Sequence, residues 1–245
     1  MVRPRRDPSA RLRLFCFPYA GGGASIYRRW STELPAWIEV CAVQLPGREE
    51  RTGVAPVVEL PRIVDDVAGA MTPLLDRPFA IFGHSLGAAL GYETARALAR
   101  RGAPEPLLLA VSGHRAPHAP RVRPPIYALP DAEFLDGIFQ LDGTSAEVLQ
   151  SEELVALLLP TLRADFTLAD TYEPSPGEPL ACPVRALGGS GDPHVSEAAL
   201  AAWAEVTRGS FGMRMFAGGH FYLNAQRGRL IAYLVRELGH RLAAR

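Results

Sequence analysis

Ser85 stands in the middle of the run "FAIFGHSLGAALG", and its neighbours Gly83-His84-Ser85-Leu86-Gly87 fit the pattern G-x-S-x-G. The pattern is common by chance, but here an apolar, strand-like run ends directly before it and a helical pattern begins directly after it. The flanking glycines suit a turn too tight for any Cβ. Such a turn lifts a serine hydroxyl to the N-terminus of a helix, whose dipole favours developing negative charge. The chemistry on offer is nucleophilic attack on an acyl carbon.

A serine nucleophile needs a base, and the base needs an orienting acid. On a strand–turn–helix serine the chain order is Ser, then Asp or Glu, then His. Of the six histidines, His220 follows the strand-like "FGMRMFAGG" and opens the last helical segment, and Gly218-Gly219 lets its loop bend over the serine. His84 adjoins the nucleophile, but its side chain is expected to point away along the turn. His114 and His118 precede or enter a long insertion, His194 lies before the last strand, and His240 belongs to a terminal helix. Asp192, straight after a strand in "VRALGGSGDPHV", is the candidate acid, unless it only caps its turn. Asp165 and Asp170 would compete only if the insertion supplied the acid. For an oxyanion hole, Leu86 offers the N–H after the nucleophile. The glycine-rich exit Phe17-Pro18-Tyr19-Ala20-Gly21-Gly22-Gly23 offers the other from Tyr19 or Ala20, Ala20 being preferred. No Lys-Ser/Thr follows "AGGG", so a phosphate cradle is discounted.

The elements that must position these groups alternate along the chain. Strands are predicted at residues 12–17, 38–45, 79–83, 107–112, 184–187 and 212–216. They are continuous apolar runs, as in a parallel sheet covered on both faces. Helical patterns occupy 27–33, 62–75, 86–101, 197–207 and 229–242. The fold class is therefore α/β, a doubly wound sheet of mostly parallel strands. Residues 113–183 exceed what a crossover needs. They hold a Pro- and Arg-rich stretch and two amphipathic pieces at 132–140 and 152–172, the second with Ser151 as N-cap and a kink at Pro160. Leu154, Leu157, Leu158, Leu162 and Phe166 share a face there, and residues from about 115 to 178 are expected to form a lid over the catalytic end of one domain spanning 1–245.

Composition narrows the class. With 245 residues, 48% apolar and 21% charged, the chain suits an ordinary globular domain. No apolar run is long enough to span a bilayer, and no apolar segment follows the basic N-terminus as in a signal peptide, so a cytoplasmic protein is expected. Zero net charge argues against nucleic acid or an anionic membrane as partner. Every basic residue is arginine, which excludes a Schiff-base lysine, a P-loop lysine and a Ser–Lys dyad. Cys16, Cys41 and Cys182 lack metal-ligand spacing, and Cys16 and Cys41 sit in strand-like runs as buried, inert thiols.

Together, "LFCFPYAGGGASIYRRW", "VQLPGREER", "FAIFGHSLGA", "LPTLRADFTLADTY", "GGSGDPHV" and "FAGGHFYL" resemble, in order and spacing, the type II thioesterases. These are the stand-alone editing enzymes of polyketide and nonribosomal-peptide assembly lines. The resemblance covers nearly the whole chain after the first ten or so residues, insertion included. It implies an α/β-hydrolase fold and hydrolysis of acyl groups from the phosphopantetheine thiol of acyl or peptidyl carrier proteins. It also implies no cofactor or metal, and a monomer. Matched residue by residue, it implies Ser85 as nucleophile, Asp192 as acid and His220 as base. Relatives often carry methionine where this chain has Leu86, and a second acid where it has Pro193-His194. Because carrier proteins are usually acidic, Arg115, Arg121 and Arg123, with Arg28 and Arg29, are candidate docking residues, and "PGREER" is read as a structural loop. Malonyl-type acyltransferases share G-H-S-L-G but resemble "GHSLGE", where this chain has Ala88. Two further rivals are a general carboxylesterase, which would prefer oxygen esters, and a catalytically inert scaffold.

Overall fold

The computed structural model describes residues 1–141 and 151–244, and residues 142–150 of the insertion lie outside it. Strands β1 (Leu12–Phe17), β2 (Ile38–Ala42), β3 (Phe79–His84), β4 (Leu109–Ser112), β5 (Val184–Gly189) and β6 (Phe211–Phe216) form one sheet in the order β2-β1-β3-β4-β5-β6. Every neighbouring pair is parallel. The reversal of strand order about β1 opens a crevice at the carboxyl ends of the central strands, where ligands enter such sheets.

The continuous apolar runs follow from burial on both faces. Along β1, Phe15 and Phe17 join a core that includes Ile63, Met71 and Leu90 of helices α2 (Leu60–Met71) and α3 (Leu86–Arg100). Leu12, Leu14 and Cys16 face the opposite core, with Leu230, Leu234 and Leu238 of the C-terminal helix (Arg227–Ala243). Three predicted helices divide. The 62–75 pattern becomes α2, ending at Met71, and a 3₁₀ turn, Thr72–Leu74. Residues 27–33 become a 3₁₀ turn, Ala24–Tyr27, and a short helix α1, Trp30–Glu33. The 197–207 stretch begins as an α-helix, Glu197–Ala201, and tightens to 3₁₀ over Ala202–Val206. Strand β2 ends at Ala42, earlier than predicted, although residues 43–45 remain buried.

Between β4 and β5 the described insertion holds α4 (Asp131–Phe139) and α5 (Glu152–Thr171), with Ser151 Oγ accepting from Leu154 N–H as N-cap. Phe134, Ile138, Leu162 and Phe166 form a small core of their own. The apolar stripe of α5 is not buried along its length: Leu157 is 62% exposed and Leu162 only 8%. Its buried part begins where the helix meets Phe134 and Ile138 of α4. Among the described residues, no helix is long and apolar enough to cross a membrane.

Candidate active site

The chain leaves β3 at His84 and enters α3 at Leu86, so Ser85 must turn the backbone alone. It does so at φ 54°, ψ −121°, a region that costs a non-glycine residue about 1–3 kcal/mol. The turn is held by Ser85 N–H donating to Ser112 O of β4 (2.8 Å) and Ala88 N–H donating to Ser85 O (2.9 Å). A Cβ on Gly83 would lie 2.0 Å from Gly87 O, and one on Gly87 2.2 Å from Phe17 O. The glycines are thus required by the close approach of α3 to β3 and β1. Leu86 opens α3, so its N–H has no partner within the helix.

His220 and Asp192 converge on the same place from β6 and β5. His220 Nδ1 lies 2.7 Å from Asp192 Oδ2, and the carboxylate is fully buried. Its other oxygen, Oδ1, accepts the backbone N–H of His194 at 2.8 Å. Burial would raise the Asp192 pKa, but the bond from His220, that ring's charge and the His194 N–H together hold it below the usual carboxylate range. An ionised carboxylate can only accept, so the His220 proton resides on Nδ1 and Nε2 is left as the acceptor. Asp192 therefore serves both as the orienter of His220 and as the capping residue of its own turn.

His84 departs from expectation. It does not point away from the site: its ring packs 5.1 Å from the His220 ring and is fully buried. Its Nδ1 is hydrogen-bonded to Ser112 Oγ (2.8 Å), which is bonded in turn to Tyr222 OH (2.7 Å). Burial, then the neighbouring His220 and His114, push the His84 pKa well below 6.5, so the ring is a neutral wall rather than a second base. His194, read from sequence as a loop residue, has its ring 6.2 Å from that of His220. The Asp-x-His spacing of an Asx-turn was the available signal for its backbone contact.

Ser85, Leu86, His220, Tyr19 and Ala20 all line one cavity of about 140 Å³, whose far wall is Ile138, Leu141, Leu162 and Phe166 from the insertion. Arg115, Arg121 and Arg123 line it too; Arg123 donates to Asp170 at 2.9 Å, and Arg121 lies 3.8 Å from the same carboxylate. Asp170 and Asp165 do not approach His220 as acids. Asp170 accepts from Arg123 and from the N–H groups of Ile126 and Tyr127, and Asp165 from Arg48 and Gly21 N–H. Neither sequence run announces these partners. Among the described residues, no group of His, Cys, Asp and Glu is placed to hold a metal ion.

Residues 12–238 match the family described as "Thioesterase domain". This chain belongs to the thioesterase family. It is 42% identical over 237 residues to the gramicidin S biosynthesis protein GrsT of Aneurinibacillus migulanus, covering 97% of this chain and 93% of that protein. Among solved structures, the RedJ thioesterase of the prodiginine pathway in Streptomyces coelicolor is 40% identical with a TM-score of 0.87, over 94% of this chain and 86% of that one. The type II thioesterase BorB of the borrelidin cluster is 36% identical with a TM-score of 0.88, over 97% and 96%. The thioesterase thus falls among the type II enzymes of antibiotic assembly lines, with the α/β-hydrolase fold.

Proposed function

We propose that the thioesterase releases stalled or aberrant acyl groups from the phosphopantetheine thiol of acyl or peptidyl carrier proteins, with Ser85, His220 and Asp192 as its triad. The observation that carries this reading is the pairing of a strained serine elbow with a histidine whose Nδ1 is fixed 2.7 Å from a buried carboxylate, in one cavity. His220 Nε2 takes the proton from Ser85 Oγ as the oxygen attacks the thioester carbonyl. The oxyanion is met by the Leu86 N–H and by a second N–H from Tyr19 or Ala20, both at the cavity wall. The C–S bond breaks, the thiolate takes the proton from His220, and the acyl group remains on Ser85. Water, deprotonated by His220, attacks that ester, the acyl–Oγ bond breaks, and Ser85 Oγ takes the proton back from His220 as the acid leaves. Asp192 stabilises the imidazolium at each stage.

In this reading residues 115–178 act as a lid within one domain, and the apolar residues of α4 and α5 receive the acyl chain. Arg115, Arg121 and Arg123 at the mouth offer cations to an acidic carrier. The test compares hydrolysis of a short acyl-pantetheinyl carrier protein with that of the matching acyl-N-acetylcysteamine and p-nitrophenyl ester, with Ser85→Ala as control. Preference for the carrier thioester, abolished in Ser85→Ala, is the expected result. Preference for the oxygen ester would make the enzyme a general esterase, and transfer of malonyl groups without hydrolysis would make it an acyltransferase.

A further inference from the structure

The loop that would supply the second oxyanion donor is closed by its own turn, Gly22 N–H to Tyr19 O at 2.9 Å, and by Gln44 Oε1, which accepts Ala24 N–H at 2.9 Å. The lid helix adds a tether between these two. Asp165 of α5 accepts Gly21 N–H through Oδ2 at 2.7 Å, which pins the peptide directly after Ala20. Arg48, from the "PGREER" loop, completes the arrangement as a two-pronged fork: Nη1 to Asp165 Oδ2 at 2.5 Å and Nη2 to Oδ1 at 2.7 Å. Arg48 Nη1 also donates to Gly22 O (3.1 Å), so the fork grips the glycine loop and the carboxylate together. Both side chains are almost wholly buried, at 8% and 2% exposure. One turn away on α5, Thr161 Oγ1 donates to Gly47 O at 2.8 Å, which ties the helix to the loop that carries Arg48. Leu162 and Phe166, which flank Asp165 on the same helix, are walls of the acyl cavity.

We propose that Arg48 and Asp165 are positioning residues that tie the oxyanion loop to the acyl-binding face of the lid, so that seating of α5 sets the donor geometry at Tyr19 and Ala20. The inference rests on the thioesterase mechanism above and adds a device to it. A buried ion pair contributes little net stability, and apolar residues of similar volume often replace one without loss of folding. Stability alone therefore does not account for a forked pair at this place. Donor placement does, since the hole must be set before charge develops, and a displacement of about 1 Å costs about 10²-fold in rate. Because Asp165 occupies Gly21 N–H, that group is withdrawn from the substrate, leaving the Tyr19 and Ala20 N–H groups as the loop's donors.

The experiment uses the full chain with two variants, Asp165→Asn and the double replacement Arg48→Met/Asp165→Leu. Each is measured for thioester turnover and for reaction with an alkyl fluorophosphonate. The extent of labelling counts folded sites, and its rate per site reads the oxyanion hole. Both variants are expected to label to the same extent as the native enzyme. In the double variant kcat and the labelling rate should fall together by about 10²-fold with KM unchanged, and Asp165→Asn, which retains an acceptor for Gly21 N–H, should lose less. The pH profile of turnover should keep its shape. An unchanged labelling rate per site, a change confined to KM, or failure of both variants to label would overturn the proposal. If the native enzyme labels but turns over no thioester, the thioesterase mechanism fails, and the labelling comparison still decides the role of the pair.

Discussion

The residues proposed for the reaction divide into those the chain marks locally and those it does not. Ser85, Asp192 and His220 each follow a strand and sit beside glycines, so strand ends and chain order alone separate them from their competitors. His84 carries no such mark, because its contact with His220 depends on β3 and the last loop meeting in space. Two predictions belong at this scale. Asp192→Asn should leave the fold intact but lower kcat about 10³–10⁴-fold, since an amide at Oδ2 would favour the wrong tautomer of His220; steady-state kinetics on the N-acetylcysteamine thioester checks it. His84 bears on acid stability. The folded chain keeps it neutral, whereas the unfolded chain takes up a proton below the ordinary value of 6.5, so the unfolded state binds more protons there. Stability should fall as pH drops from 6.5, with a limiting slope of about 1.4 kcal/mol per pH unit from this one group. His84→Asn should remove that part of the slope in urea titrations between pH 6.5 and 4.5. His114, held at about 4 chiefly by burial, contributes equally to both proteins and cancels. Equal slopes would show that His84 is protonated in the fold.

At the scale of elements, the parallel sheet was legible because strands covered on both faces are apolar at most positions, and β1, β3 and β5 are so apart from Arg13, His84 and Arg185, with Arg13 and Arg185 paired to Glu39 and Glu237. The 3₁₀ segments were not, since α and 3₁₀ turns share nearly the same apolar spacing and only packing chooses between them. Nor was the Arg48–Asp165 contact, which joins residues 117 apart in the chain. The elbow itself depends on how closely α3 approaches β1. Gly87→Ala would force a methyl group against Phe17 O and Pro18 O, backbone atoms at the mouth of the oxyanion loop. It should destabilise the protein by at least about 3 kcal/mol in urea unfolding, a cost outside the range of most single substitutions. The proposed lid makes a different demand. Phe166 and Leu162 line the cavity proposed to take the acyl chain, so Phe166→Ala should raise kcat/KM for longer acyl thioesters relative to short ones, by about 1–3 kcal/mol of discrimination. A series of acyl lengths on one thiol carrier measures this directly, and an unaltered ranking would place the acyl chain elsewhere.

For the whole molecule, zero net charge conceals local asymmetry in the cavity lining, where among the described residues Arg115, Arg121 and Arg123 stand with one carboxylate, Asp170, which pairs with Arg123 and Arg121 while Arg115 donates to the carbonyls of Ala116, Pro117 and Ala119. Removing one cation while leaving Asp170 paired with Arg123 tests whether this asymmetry is used. Arg121→Gln should raise KM several-fold for an acidic acyl-carrier protein, more at low salt than at high, and leave KM for the small thioester unchanged. Equal effects on both substrates would remove the rim from carrier recognition. Another whole-chain feature is the placement of its cysteines, on β1, on β2 and just before β5, all buried. Burial pushes the Cys41 and Cys182 thiols up to about 12 and the Cys16 thiol well above its ordinary value, so none is a thiolate at neutral pH. The native background is therefore silent to maleimides. A single Leu157→Cys on the exposed start of the lid helix would take a fluorophore alone, and its emission could follow the lid while the enzyme turns over. No native cysteine need be removed first.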